Sequence, residues 1–195
     1  MRRVRQPGEW IAGFTSEQLI ELGVGKERLV YLMRIGEKLT FEQYFHDKHF
    51  VDKQPDFGFN DQQRSVGDRI YEPLKAGAVE IGDFRLIPNP YHSAEHMAID
   101  LPGHFVLVSD EFYYFGTNAI RVPDSLRPKV PIGPARYGIE SSPDRAAKFI
   151  DYIRSKYSQG LQALPIIWSD DGGCKSCGEG SRAKTAAVCS PVKNG

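Results

Sequence analysis

The sequence predicts an α+β domain built on one small, strongly bent, mainly antiparallel sheet, barrel-like at its most closed, with two short helices near the N-terminus and one longer helix near the C-terminus. Three observations predict it. Short runs rich in β-branched and aromatic residues are separated by clusters of Gly, Pro, Asn and Asp, the pattern of strands joined by turns. Two Thr-x-x-Gln boxes, "TSEQ" and "TFEQ", directly follow or precede such runs and mark helix starts. One late stretch carries apolar residues at helical spacing between clear start and stop signals.

In order, "GEWIAGF" (8 to 14) reads as a strand, and "TSEQ" then starts a helix that Gly23 ends. "RLVYLMRI" (28 to 35) reads as a second strand from its β-branched and aromatic content. At Thr40 and Gln43 the second box opens a helix whose Phe41, Tyr44 and Phe45 share one face. Residues 51 to 66 are polar and rich in turn formers, which predicts a long loop. "VGDRIYEPL" gives a turn and a short strand that Pro73 keeps off the centre of a sheet. In "FRLIPNPYHSAEH", Asn89 between prolines holds the backbone extended or turning and presents Tyr91 and His92. "GHFVLVSDEFYYFG" (103 to 116) is the strongest strand signal, one long bent strand or a pair broken at Ser109 and Asp110. The last helix, 143 to 159, has Ser142 as N-cap, Pro143 at its first position and Gly160 past its end. Ala146, Phe149, Ile150, Ile153 and Tyr157 form its apolar face, and "ALPIIW" (163 to 168) reads as a closing strand.

With 195 residues, 41% apolar and 26% charged, the chain fits one globular domain over residues 1–168 and a flexible, cysteine-containing tail over 169–195. The 25 basic and 25 acidic residues cancel, so no whole-molecule attraction draws it to nucleic acid or an anionic membrane. Any basic patch is local: Arg2, Arg3 and Arg5 form either a phosphate-contacting arm or a solvated end. No uncharged apolar run approaches the ~18 residues that span a bilayer, and no apolar stretch follows the basic start. The expectation is a cytoplasmic protein with no membrane partner.

Four segments together, "GEWIAG", "RLVYLMRIGEKLTFEQYF", "VGDRIYEP" and "VLVSDEFYYFGTNAI", resemble a family of phages and bacteria, the nucleotide modification associated domain of the second type. The resemblance runs from about residue 5 to 125 and on through the last helix to 168. It implies a compact α+β domain linked to systems that modify bases in DNA or sense modified ones, with a nucleotide or nucleic acid, and other DNA-modification proteins, as partners. The same strands and short aromatic helix are similar to the small barrels of the PUA, ASCH and EVE type, which bind nucleic acid or a modified base. Members commonly carry a further strand and loop upstream of the Gly-acid-Trp segment, so the resemblance implies either a late start or a truncated member here, where Gly8 lies close to Met1.

The candidate site residues follow from chemistry. In the run Phe112 to Phe115 aromatics fall on both faces of a strand, which is either a strand covered on both sides or a platform with Phe112 and Tyr114 in a cleft stacking a base. Trp10 is a further candidate wall, and the Asn118 amide can read a base edge. His92 is the candidate general base, with Asp110 as its orienting partner; the His92 and His96 spacing alone is a poor metal signature. No cofactor is required, though Cys174, Cys177 and Cys189 offer three thiolates to zinc. The leading reading is a nucleotide- or base-recognition domain of a phage or bacterial DNA-modification or defence system. The alternatives are a nucleotide-modifying enzyme and a non-catalytic structural or interaction subunit.

Overall fold

A long, bent antiparallel ribbon organises the molecule. The computed structural model describes residues 1–15, 24–57, 62–65, 67–89, 92–129 and 142–163. One arm of the ribbon is β2 (Arg28–Arg34) followed by β3 (Glu37–Thr40), and the other is β6 (Phe105–Val108) followed by β7 (Glu111–Tyr114). Arg34 pairs with Glu111 and Glu37 with Val108, so both arms break at the same level, Ile35 and Gly36 against Ser109 and Asp110. The "pair broken at Ser109 and Asp110" is therefore what forms. At the joint Gly36 N–H donates to Val108 O at 2.8 Å, and Ile35, fully buried, is held by Gly8 N–H (2.7 Å) and Glu9 O (2.9 Å).

Beyond the break the arms enter separate sheets. The first has the order β1-β2-β7-β9, with β8 (Ile120–Arg121) also on β2; β1 is Trp10–Phe14 and β9 is Gly160–Leu161. Only the β7–β9 pairing is parallel. The second sheet is β3 with β6, and β4 (Tyr71–Pro73) pairs with β5 (Phe84–Leu86) in a third. Among the described residues no barrel closes, which corrects the PUA-like expectation. The ribbon's break lets its two halves diverge, and β4 with Pro73 makes a separate two-stranded unit.

Two of the three expected helices form where local signals put them, and two shorter ones were not expected. α1 (Phe41–His46) starts on the Thr40 box, with Gln43 N–H donating to Thr40 Oγ1 at 3.1 Å and Thr40 N–H to Gln43 Oε1 at 2.8 Å. The stretch expected as loop holds a 3-10 turn at Lys48–Lys53, capped by Asp47, and the four-residue helix α2 (Gln62–Ser65). α3 (Ala94–Asp100) follows Ser93. α4 (Pro143–Lys156) begins at Ser142 as expected and stops earlier than 159, because Tyr157 is already extended at φ −131°. Gly160, at φ +100°, then turns the chain into β9. The helix expected over 15 to 23 and the strand expected over 163 to 168 lie almost wholly outside the described residues, as does the tail.

Two cores flank the ribbon's break. The first joins Leu29, Leu32, Tyr113, Phe115 and Val122 of the large sheet to Phe149 and Ile153 of α4. Burying those two helix side chains contributes ~1.5–3 kcal/mol each. The second gathers Phe41, Ile70, Tyr71, Ala78, Phe84, Met97 and Leu101 around α1, the third sheet and α3. No helix among the described residues is long and apolar enough to cross a membrane.

Candidate functional site

The aromatic run divides by the simple alternation of a strand. Tyr113 and Phe115, 2% and 1% exposed, point into the first core under α4. Phe112 and Tyr114 therefore lie on the opposite face, Phe112 exposed and Tyr114 half-buried. Register completes that face. Tyr114 stands beside Tyr31 and Phe112 beside Met33 on β2, and these stand beside Gly13 and Ile11 on β1. The Tyr31 ring lies over Gly13: a Cβ there would come 2.6 Å from both Cδ1 and Cζ of the ring. Glycine thus lets the tyrosine lie flat along the sheet. Burial raises the pKa of Tyr31 and of Tyr114, the latter helped by Tyr31, so both phenols stay neutral at physiological pH.

Trp10 sits on the other face, half-buried against the first core, with the Arg154 guanidinium 5.1 Å from its ring centroid. Arg154 is held by Glu111 through two bonds of 2.6 and 2.7 Å, which pull the Glu111 carboxyl below its ordinary range. The sheet thus separates Trp10 from Phe112 and Tyr114. Asn118 is exposed at the end of the Gly116–Asn118 turn, its N–H bonded to Phe115 O. Asp110 is exposed at the ribbon's break beside Gly36.

His92 belongs to a second constellation, beside the second core. It precedes α3, and its ring packs edge-on against that of His96 at 5.4 Å. Burial lowers its pKa; Asp100 opposes that shift, His96 adds to it, and Asp68 opposes it. Both carboxylates are engaged: Tyr44 Oη donates to Asp68, and Tyr71 Oη donates to Asp100 at 2.8 Å. Asp100 also takes Arg2, through its side chain at 3.3 Å and its carbonyl at 2.6 Å. Ser93 N–H donates to His96 Nδ1 at 3.0 Å, so that nitrogen is an acceptor and is unavailable to a metal. The His92 imidazole has no hydrogen-bond partner among the described residues. It is a neutral base with two carboxylate–tyrosine pairs in its electrostatic reach.

Sequence reasoning gave no site role to Gly13, Tyr31, Tyr44, Asp68 or Tyr71, and weighed Asp100 only as a residue beyond the His92 and His96 spacing. Tyr31 and Asp100 had local signals, in "VYLMRI" and "YHSAEHMAID"; the others depend on pairings between separate segments. Among the described residues no group of three or more His, Cys, Asp or Glu side chains is arranged to hold a metal. Cys174, Cys177 and Cys189 lie outside the described residues.

The family model of nucleotide modification associated domain 2 matches residues 1–172. The chain belongs to that family. Its role is accordingly linked to nucleotide modification, and the expected α+β fold and the family resemblance both stand. No curated protein and no solved structure matches the chain. Within this nucleotide modification associated domain, the aromatic face and the His92 constellation each bring aromatic or titratable side chains together among the described residues.

Proposed function

We propose that this chain is a nucleotide- or base-recognition domain of a phage or bacterial DNA-modification or defence system, and that it stacks bases on the sheet face formed by Tyr31, Phe112 and Tyr114. One observation carries the reading: the strand pairing that buries Tyr113 and Phe115 sets Phe112 and Tyr114 on the face away from α4, with Tyr31 laid flat beside Tyr114 over Gly13. Flat rings suit bases of any sequence, and Asn118 adds a donor and acceptor near the end of the same strand. The zero net charge fits a domain that selects by stacking instead of long-range attraction. The test is titration of short single-stranded DNA at two salt concentrations. Tyr114→Ala should weaken binding by ~1–3 kcal/mol, about five- to 150-fold, with little change in salt slope. An unchanged affinity would sink the stacking reading.

A second reading, a nucleotide-modifying enzyme with His92 as general base, is supported by the unpartnered, neutral imidazole beside Asp100 and Asp68. Its orienting carboxylate is better sought in Asp100 or Asp68 than in Asp110, which stands beside Gly36 at the break. Incubation with phage DNA and mass analysis of the released nucleosides should give a product that His92→Ala abolishes. No product from any substrate would count against it.

A further inference from the structure

The N-terminal arginines do something the aromatic face does not use. Arg2 is tied down by Asp100, its guanidinium lies 5.4 Å from the Phe41 ring centroid, and Gly103 lets it lie against the backbone. The carbonyl of Arg3 accepts from Lys38 Nζ at 2.9 Å. Anchored on both sides, the segment brings Arg3 to the mouth of a cleft of about 310 Å³.

The cleft has a definite chemistry. Phe41, Ala78 and Phe84 of the second core line it together with Val79 and Phe105. Exposed Arg3 and the His104 imidazole line it too, and the Lys38 ammonium sits 4.4 Å from the Phe105 ring centroid. Neither the Arg3 guanidinium nor the His104 imidazole has a partner among the described residues. His104 is also held in the left-handed region, φ +58°, its N–H bonded to Leu101 O at 2.8 Å. Histidine is among the non-glycine residues that adopt this region, and the cap fixes the backbone from which the His104 imidazole projects. Aromatic rings beside cationic side chains suit a planar ring that bears an anionic group. The volume lies at the lower end of ligand pockets, the size that suits one nucleotide.

We propose that this cleft is a mononucleotide site, taking the base among Phe41, Phe84 and Phe105 and the phosphate against Arg3, His104 and Lys38. The planar aromatic anion follows from the cleft; its being a nucleotide rests on the nucleotide reading above, though not on the sheet face. The experiment titrates the full chain with the four deoxynucleoside 5′-monophosphates and with the matching nucleosides, following heat or amide shifts. At least one monophosphate should bind about tenfold more tightly than its nucleoside, and Arg3→Ala should remove most of that preference while leaving the nucleoside unchanged. Val79→Trp, at a half-exposed rim position, should weaken both by filling the entrance. Absence of a phosphate preference, or unchanged binding in both Arg3→Ala and Val79→Trp with thermal unfolding showing them folded, overturns the cleft. If single-stranded DNA binding falls in Tyr114→Ala while these two changes do nothing, the sheet face stands and the cleft falls; the opposite pattern keeps the cleft and removes the sheet face.

Discussion

Gly13→Ala tests the arrangement of the aromatic face through stability. The added methyl would overlap Cε1 of the Tyr31 ring and lie 2.6 Å from Cδ1 and Cζ, against the ~3.5–4.0 Å of a relaxed carbon contact. The backbone does not object, because Gly13 has no positive φ, although the β1–β2 register shifts between it and Phe14. Two effects therefore compete. Replacing glycine restricts the unfolded chain and stabilises by ~0.4–1 kcal/mol, whereas forcing the ring off its place costs ~1–3 kcal/mol. The net expectation is a loss of ~1 kcal/mol, a fall in Tm of ~2–4 °C for a chain of this size. With Tyr31→Ala in the background the clash disappears and only the entropic gain remains, so the same substitution should become stabilising. Urea unfolding of the four proteins of this cycle reads both signs. If Gly13→Ala destabilises equally with and without the Tyr31 ring, the ring does not rest on the glycine and the flat platform is wrong.

Glu111→Gln should cost ~0.5–1 kcal/mol at neutral pH by breaking the two bonds to Arg154. Because the folded-state pKa of Glu111 lies below its ordinary 4.5, that contribution is present above pH 4.5 and lost as pH falls through the folded value; chemical denaturation should show parent and variant converging in acid. His92, lowered from 6.5 by burial, should titrate below that pH in an NMR titration of its ring protons, and stability should decline on acidification from pH 6.5 as the unfolded chain takes up the proton first. Ile35→Ala, emptying a fully buried site at the ribbon's break, should cost ~2–5 kcal/mol and raise amide exchange at both Leu32 and Leu39; a rise in one sheet alone would show that the two cores open independently.

What was legible in the sequence was local. The Thr40 and Gln43 box, the Ser142 and Pro143 start and the division of Phe112 to Phe115 between two faces depend on residues within a turn or on strand alternation, and those physical rules act at short range. Where tertiary contacts decide, the sequence was silent. Arg2 meets Asp100 across 98 residues, and nothing in "MRRVRQ" distinguishes an anchored arm from a solvated end. The histidine pair was visible as a spacing, yet its chemistry comes from Asp100 at the end of the same helix together with Asp68 and two tyrosines supplied by other elements. The barrel failed for the same reason: whether a strand closes a sheet or leaves it is set at the break between paired arms, and "RIGEKL" reads equally well as a continuous strand.

That break explains why one small chain carries two ring-lined surfaces. A straight ribbon of thirteen residues from Arg28 to Thr40 would hold all its alternate side chains to one sheet and one core. Interrupting both arms together, at Ile35 and Gly36 and at Ser109 and Asp110, lets each half pack against its own partners: β1 and α4 on one side, α1 and the third sheet on the other. The N-terminal segment crosses the same level. Its Gly8 and Glu9 bond the backbone of Ile35, while Arg2 and Arg3 reach the second core, so the strand that leads into the platform and the arm that lines the cleft are fixed by one buried residue. Both surfaces are thus built on the same joint. A change that loosens Ile35 reaches both, whereas changes at Tyr114 or Arg3 stay on the side where they are made.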